Sequence, residues 1–147
     1  MMDQLKREHY HPIFISYRRA DGISEAKLLR SLFEKELGAN KIFLDTSTTS
    51  AGEKWQQAII NAIRNAKVVI VFIGPCWKGE NNINRLLEDD DWVRIELETA
   101  LQNSSTKIFP LFYLPSNQKD YDYSTCLSKS SLPASLHSLA LHQAVSI

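Results

Sequence analysis

Apolar residues fall into short blocks, separated by stretches whose apolar positions recur at helical spacing. Ile13-Phe14-Ile15 and Ile42-Phe43-Leu44 predict two short strands. Val68 to Ile73 is continuously apolar and largely β-branched, as expected of a central parallel strand covered on both faces. Ile108 to Leu114 predicts a fourth strand, and Ala144 to Ile147 a fifth. Ala26, Leu29, Phe33 and Leu37 mark a first helix, with Ser24 as its cap and Gly38 as its stop. Trp55, Ile59, Ile63 and Ala66 mark a second. Val93, Leu97, Ala100 and Leu101 mark a third, and the aspartates at 89, 90 and 91 supply negative charge at its N-terminus. The stretches 77–91 and 116–131 are polar and without period, and read as loops. A short helix is expected between Leu132 and the last strand.

Strands alternating with helices predict an α/β domain. Right-handed crossovers give a parallel sheet with helices on both faces. The expected topology is flavodoxin-like: three layers around a five-stranded parallel sheet of order 2-1-3-4-5. The short second strand suits an edge. In that order a ligand crevice opens at the carboxyl ends of strands 1 and 3, where the winding reverses.

At 147 residues the chain suits one domain with a sizeable core. Lys plus Arg and Asp plus Glu are 17 each, a formal net charge of zero, which argues against a broad nucleic-acid surface. No apolar run is long enough to span a bilayer, and residues 1–8 lack the apolar core of a signal peptide. Cys76 and Cys126 have no metal-ligand spacing and read as free thiols. A cytoplasmic protein with no nucleic-acid or membrane partner, no metal and no cofactor is expected.

Several chemically capable residues fall on the predicted rim. Ser16, Tyr17, Arg18 and Arg19 follow strand 1, Asp45 and a Ser/Thr-rich loop follow strand 2, and Gly74-Pro75-Cys76-Trp77 follows strand 3. Trp92 and Glu96, four apart, share one face of the third helix. Arginine forks suit phosphate, aromatic rings suit a heterocyclic base, and a carboxylate suits ribose hydroxyls. The set describes a nucleotide pocket better than a peptide pocket. Each member also has a plainer reading: Arg18 and Arg19 as solvated charges, Trp92 as core, Asp45 as a loop brace. Glu96 lies about 100° from the stripe through Leu97, where a glutamate is ordinarily exposed. Trp55 and Trp77 read as packing residues, and the histidines are given no role. No G-x-G-x-x-G follows strand 1, no acidic pair of a receiver domain is present there, and no G-x-S-x-G occurs.

Phe14-Ile15-Ser16-Tyr17-Arg18-Arg19, Ile42-Phe43-Leu44-Asp45, Ala51-Gly52, Ile73-Gly74-Pro75 and Asp91-Trp92-Val93-Arg94-Ile95-Glu96 occur in this order. Together they resemble a Toll/interleukin-1 receptor (TIR) domain, most of all the bacterial type. The first motif also resembles the animal NAD-cleaving TIR enzyme of axon degeneration. The resemblance implies an NAD+ glycohydrolase that cleaves the nicotinamide–ribose bond, giving nicotinamide and ADP-ribose or a cyclic isomer, in defence or cell-death signalling. It implies Glu96 as the catalytic residue and Ser16, Tyr17, Arg18, Arg19, Asp45, Ser50, Gly52 and Trp92 as substrate contacts, with NAD+ as substrate rather than cofactor. It also implies homotypic TIR–TIR self-association. The alternative is a non-enzymatic TIR module acting by self-association alone. Residues 1–11 are expected to be an N-terminal extension and 12–147 the TIR domain. The family's last helix would fall beyond Ile147, which leaves two readings: a fragment of a longer protein carrying a sensor or effector module, or a naturally short domain that packs against a partner.

Overall fold

The apolar block Val68–Ile73 forms β3, the strand around which the sheet is built. In the computed structural model, residues 12–45, 53–79, 84–113, 115, 123, 126–128, 131–141 and 145–146 are described. The elements are β1 (Ile13–Tyr17), α1 (Ile23–Leu37), β2 (Ile42–Phe43), α2 (Glu53–Asn65), β3, α3 (Trp92–Leu101), β4 (Lys107–Phe112) and β5 (Val145–Ser146). Short 3-10 helices cover Arg19–Asp21, Arg85–Leu87 and Ala134–Leu141.

All strand pairings are parallel. β3 pairs with β1 from Ile13↔Val68 to Tyr17↔Phe72 and with β4 from Val68↔Lys107 to Ile73↔Phe112. β1 pairs with β2 at Ile13↔Ile42 and Phe14↔Phe43, which puts β2 at the edge and gives the order β2-β1-β3-β4. The two-residue β5 lies beside β4 through Leu111↔Val145 and Phe112↔Ser146.

Alternation along the strands divides the core. Phe14, Val69, Val71 and Ile73 face α2, α3 and the Ala134–Leu141 segment. Ile15, Tyr17, Ile70 and Phe72 face α1. Val71 and Ile73 are fully buried, and burying a side chain of this kind contributes about 1.5–3 kcal/mol. Ser16, in register with Val71, therefore points its hydroxyl into the α3 layer.

Some element boundaries depart from the sequence expectation. α1 begins at Ile23, so Ser24 lies inside the helix and does not cap it. The preceding residue, Gly22, has φ 112°, a region open to glycine, and no side chain caps this end. Leu37 is exposed, because α1 buries chiefly Ala26 and Leu29, with Phe33 half-buried. Within the expected surface loop 77–91, Trp77 and Leu86 are fully buried and pin the chain back onto the core.

Candidate active site

α3 carries the central residue of the site. Asp91 caps it, its carboxylate accepting from the Arg94 backbone N–H at 3.2 Å. Arg94 then pairs with Glu98 at 3.3 Å, one turn on. The buried positions are Val93, Glu96, Leu97 and Ala100. That is an i, i+3, i+4, i+7 stripe, so Glu96 lies in the buried face rather than on an exposed shoulder.

Burial of Glu96 is matched by one hydroxyl. Ser16 Oγ donates to Glu96 Oε1 at 2.9 Å, joining the centre of β1 to the helix. Loss of water is the main cause that lifts the Glu96 carboxyl from the ordinary 4.5 to about 8. The Ser16 hydrogen bond opposes that rise, Asp45 and Asp91 add to it, and Arg18 opposes it.

The carboxyl stands in a cavity of about 220 Å³ lined by Tyr17, Arg19, Asp45, Arg85, Trp92 and Glu96, among others. The cavity opens at the carboxyl ends of β1 and β2, beside α3. Around the carboxyl ends of strands 1 and 3, where the crevice is expected, the lining comes from the β1 exit and from Arg85, Asp91, Trp92, Val93 and Glu96 of the segment after β3, while the direct gap between the two strand ends is filled. Asp21, from the turn after β1, accepts from the N–H groups of Gly74 (3.2 Å) and Cys76 (2.6 Å) and closes that gap. A Cβ at position 74 would overlap the Asp21 carboxylate, so glycine is required there by close approach. Burial raises the Asp21 pKa, and the two backbone N–H groups work against that rise.

Of the expected residues, Tyr17, Arg18, Arg19, Asp45, Trp92 and Glu96 line one cavity, and Ser16 reaches it through Glu96. Arg18 is buried and bidentate to Asp91, with Nη2–Oδ2 at 3.0 Å and a closer Nη1–Oδ1 contact, while its Nε donates to the Trp77 carbonyl at 2.9 Å. Arg18 also lines the cavity, but its fork is filled by Asp91, and it braces the β1 exit against the start of α3. Trp77 sits in the core, away from the cavity lining. Arg19 reaches the rim and pairs with Asp45 at 3.1 Å, with its side chain 44% exposed. Tyr17 donates its hydroxyl to the Asp45 carbonyl at 2.6 Å, which ties the ends of β1 and β2. Desolvation raises the Tyr17 pKa. Trp92 packs partly on the core and also lines the cavity. Ser50 and Gly52 lie outside the described residues, as does the side chain of Trp55.

Sequence reasoning missed Asp21, Arg85 and the pairing of Asp91 with Arg18. Spacing signals none of these, because each depends on contacts between distant loops. Glu96 did leave a signal, since Val93, Leu97 and Ala100 place it on their own face. Among the described residues there is no group of side chains suited to a metal ion and no helix long and apolar enough to cross a membrane.

A sequence model of the TIR-domain family matches residues 13–144. The chain belongs to the TIR-domain family. This TIR domain is 35% identical over 103 residues to the NAD(+) hydrolase tir-1 of Caenorhabditis elegans, covering 68% of this chain and 10% of that protein. It is 32% identical over 102 residues to the NAD(+) hydrolase sarm1 of Drosophila melanogaster, covering 67% of this chain and 7% of that protein. The matched segment is thus a small part of either relative. The TIR domains in the structure of the activated Roq1 resistosome, which directly recognizes the pathogen effector XopQ, share the fold. There the TM-score is 0.53 at 19% identity, over 88% of this chain and 68% of that one.

Proposed function

We propose that this TIR domain is an NAD+ glycohydrolase that breaks the bond between nicotinamide and ribose. The observation that carries the reading is Glu96, a buried carboxyl on the cavity wall held by a neutral hydroxyl. Asp91 is paired with Arg18 and Asp45 with Arg19, which leaves Glu96 as the acid able to meet a substrate's positive charge. The two curated relatives are named NAD(+) hydrolases, which supports the same chemistry at this site.

Nicotinamide in NAD+ is a cation and leaves as a neutral molecule, so its departure requires no general acid. The C1′–N1 bond breaks with both electrons going to the ring nitrogen. The anionic Glu96 carboxylate lies where it can hydrogen-bond the ribose diol and stabilise the growing positive charge at C1′. Water then adds at C1′ and loses its proton, giving ADP-ribose; attack by a substrate nitrogen instead gives a cyclic isomer. Ordinary glycoside hydrolysis uses two carboxylates because its leaving group must be protonated. The cationic substrate also favours ionisation of Glu96, so binding itself delivers the active form.

About 220 Å³ is small beside the roughly 300–1,000 Å³ of pockets that enclose a whole ligand. It suits the nicotinamide–ribose half, with the remainder of the dinucleotide reaching outward from the rim. Self-association supplies a second surface for that remainder, and we expect activity to rise with protein concentration. The reading also takes Trp92 as a face for the nicotinamide ring and Ser50 and Gly52 as part of the loop that meets substrate. It places the domain at residues 12–147, with β5 as the fifth strand of the sheet, and its work in the cytoplasm, in defence or cell-death signalling. Incubating concentrated protein with NAD+ and resolving the products by chromatography tests it. Nicotinamide with linear or cyclic ADP-ribose is expected. Intact NAD+ at high protein concentration means a non-enzymatic interaction module.

A further inference from the structure

Arg85 lines the cavity that holds Glu96. It stands in the short 3-10 helix Arg85–Leu87, and that helix is firmly fixed. Leu86 beside it is fully buried in the α3-side core. The Asn84 side chain accepts from the Leu86 N–H at 3.2 Å and donates to the Ser131 carbonyl at 2.7 Å. The Arg85 N–H donates to the Lys78 carbonyl at 2.6 Å, and Arg94 of α3 donates to the Leu87 carbonyl at 3.2 Å. The backbone of Arg85 is therefore held in place while its side chain stays 50% exposed.

The side chain has little structural duty. It approaches Asp91 Oδ1 at 3.5 Å, a long contact. Asp91 is already satisfied by both Arg18 Nη atoms and by the Arg94 N–H. A second guanidinium beside a neutralised carboxylate leaves local positive charge at the surface. Arg18 and Arg19 also line the cavity: Arg18 is buried with its fork on Asp91, while Arg19 is 44% exposed and meets Asp45 through one Nη. The cavity is thus polarised: Glu96 is buried within, and half-exposed arginines stand where the wall meets solvent. A dinucleotide with a cationic ring and an anionic pyrophosphate fits that polarity in one direction only.

We propose that Arg85, with Arg19, forms a phosphate subsite that binds the pyrophosphate of the dinucleotide and selects phosphorylated over unphosphorylated nicotinamide ribosides. The inference rests on the glycohydrolase reading and adds a residue and a specificity to it. A guanidinium fork suits phosphate oxygens in two parallel hydrogen bonds, and the fixed backbone limits the ordering needed on binding.

The test compares wild-type protein with Arg85→Ala. Two constants are measured: KM for NAD+, and the inhibition constant of nicotinamide riboside, which lacks phosphate, as a competitor of NAD+ cleavage. In Arg85→Ala the KM is expected to rise about tenfold, the scale of one charge-assisted hydrogen bond, with kcat within about twofold. The riboside's constant should be unchanged, and Arg85→Lys should recover part of the lost affinity. An unchanged KM for NAD+ overturns the subsite. So does an equal rise in both constants, since that reports a disturbed cavity through Asp91. Failure of the wild-type protein to cleave NAD+ is a different result: it removes the glycohydrolase reading, and the subsite with it.

Discussion

Ser16 and Glu96, 80 residues apart in sequence, meet in a buried hydrogen bond of 2.9 Å. β1 aims the hydroxyl into the α3 layer, and the buried stripe of α3 carries the carboxyl to it. The bond joins the middle of the sheet to the helix that borders the cavity, and it opposes the rise that burial imposes on the pKa of the group proposed to do the chemistry.

Removing that hydroxyl makes the carboxyl harder to ionise. Ser16→Ala is expected to move the acidic limb of kcat/KM upward by about one pH unit, the size of a lost hydrogen bond to a charged group. A pH–rate profile checks this. Coincident profiles for the variant and the wild type would remove Ser16 from the mechanism.

Glu96 also links activity to stability, with opposite signs. The free enzyme needs the anion, so kcat/KM should rise with pH up to about 8 and then level. Folding favours the neutral acid, because the folded pKa of about 8 lies above the ordinary 4.5. Its stabilising contribution is full below about 4.5 and is lost as pH rises through 8. Glu96→Gln is neutral throughout, so its melting temperature should exceed that of the wild type by a margin that grows between those limits. A margin independent of pH contradicts the burial account.

The Arg18–Asp91 pair is buried on both sides and ties the β1 exit to the start of α3. Arg18→Leu or Asp91→Leu alone strands a charge and should cost about 3–5 kcal/mol in chemical denaturation. The double substitution should cost clearly less than the sum of the two. Additive losses would mean that the pair is not coupled.

Much of the frame was legible because hydrophobic spacing reports burial directly. The Val68–Ile73 block reads as a central strand and the short second strand as an edge, and the expected flavodoxin-like order matches the observed β2-β1-β3-β4. The failures share one cause: residue type tells nothing of partners. Arg18 and Arg19 are neighbours of identical chemistry, yet one is locked to Asp91 and the other is half exposed. Asp21 looks like an ordinary loop aspartate, but it bridges the β1 and β3 exits by accepting from the Gly74 and Cys76 N–H groups. Glu96 reads as a shoulder residue because Leu101, counted with Val93, Leu97 and Ala100, swings the expected stripe away from it. In the structure Leu101 is only partly buried and the buried stripe takes in Glu96 instead.

The central claim is that the Glu96 carboxylate performs the cleavage. The most direct measurement is nicotinamide release from NAD+ by concentrated wild-type and Glu96→Gln protein, matched for folding by circular dichroism. The account predicts steady release by the wild type and at least a thousandfold less by the variant, about the scale of losing a group that stabilises transition-state charge. Undiminished release by a folded Glu96→Gln protein would contradict it.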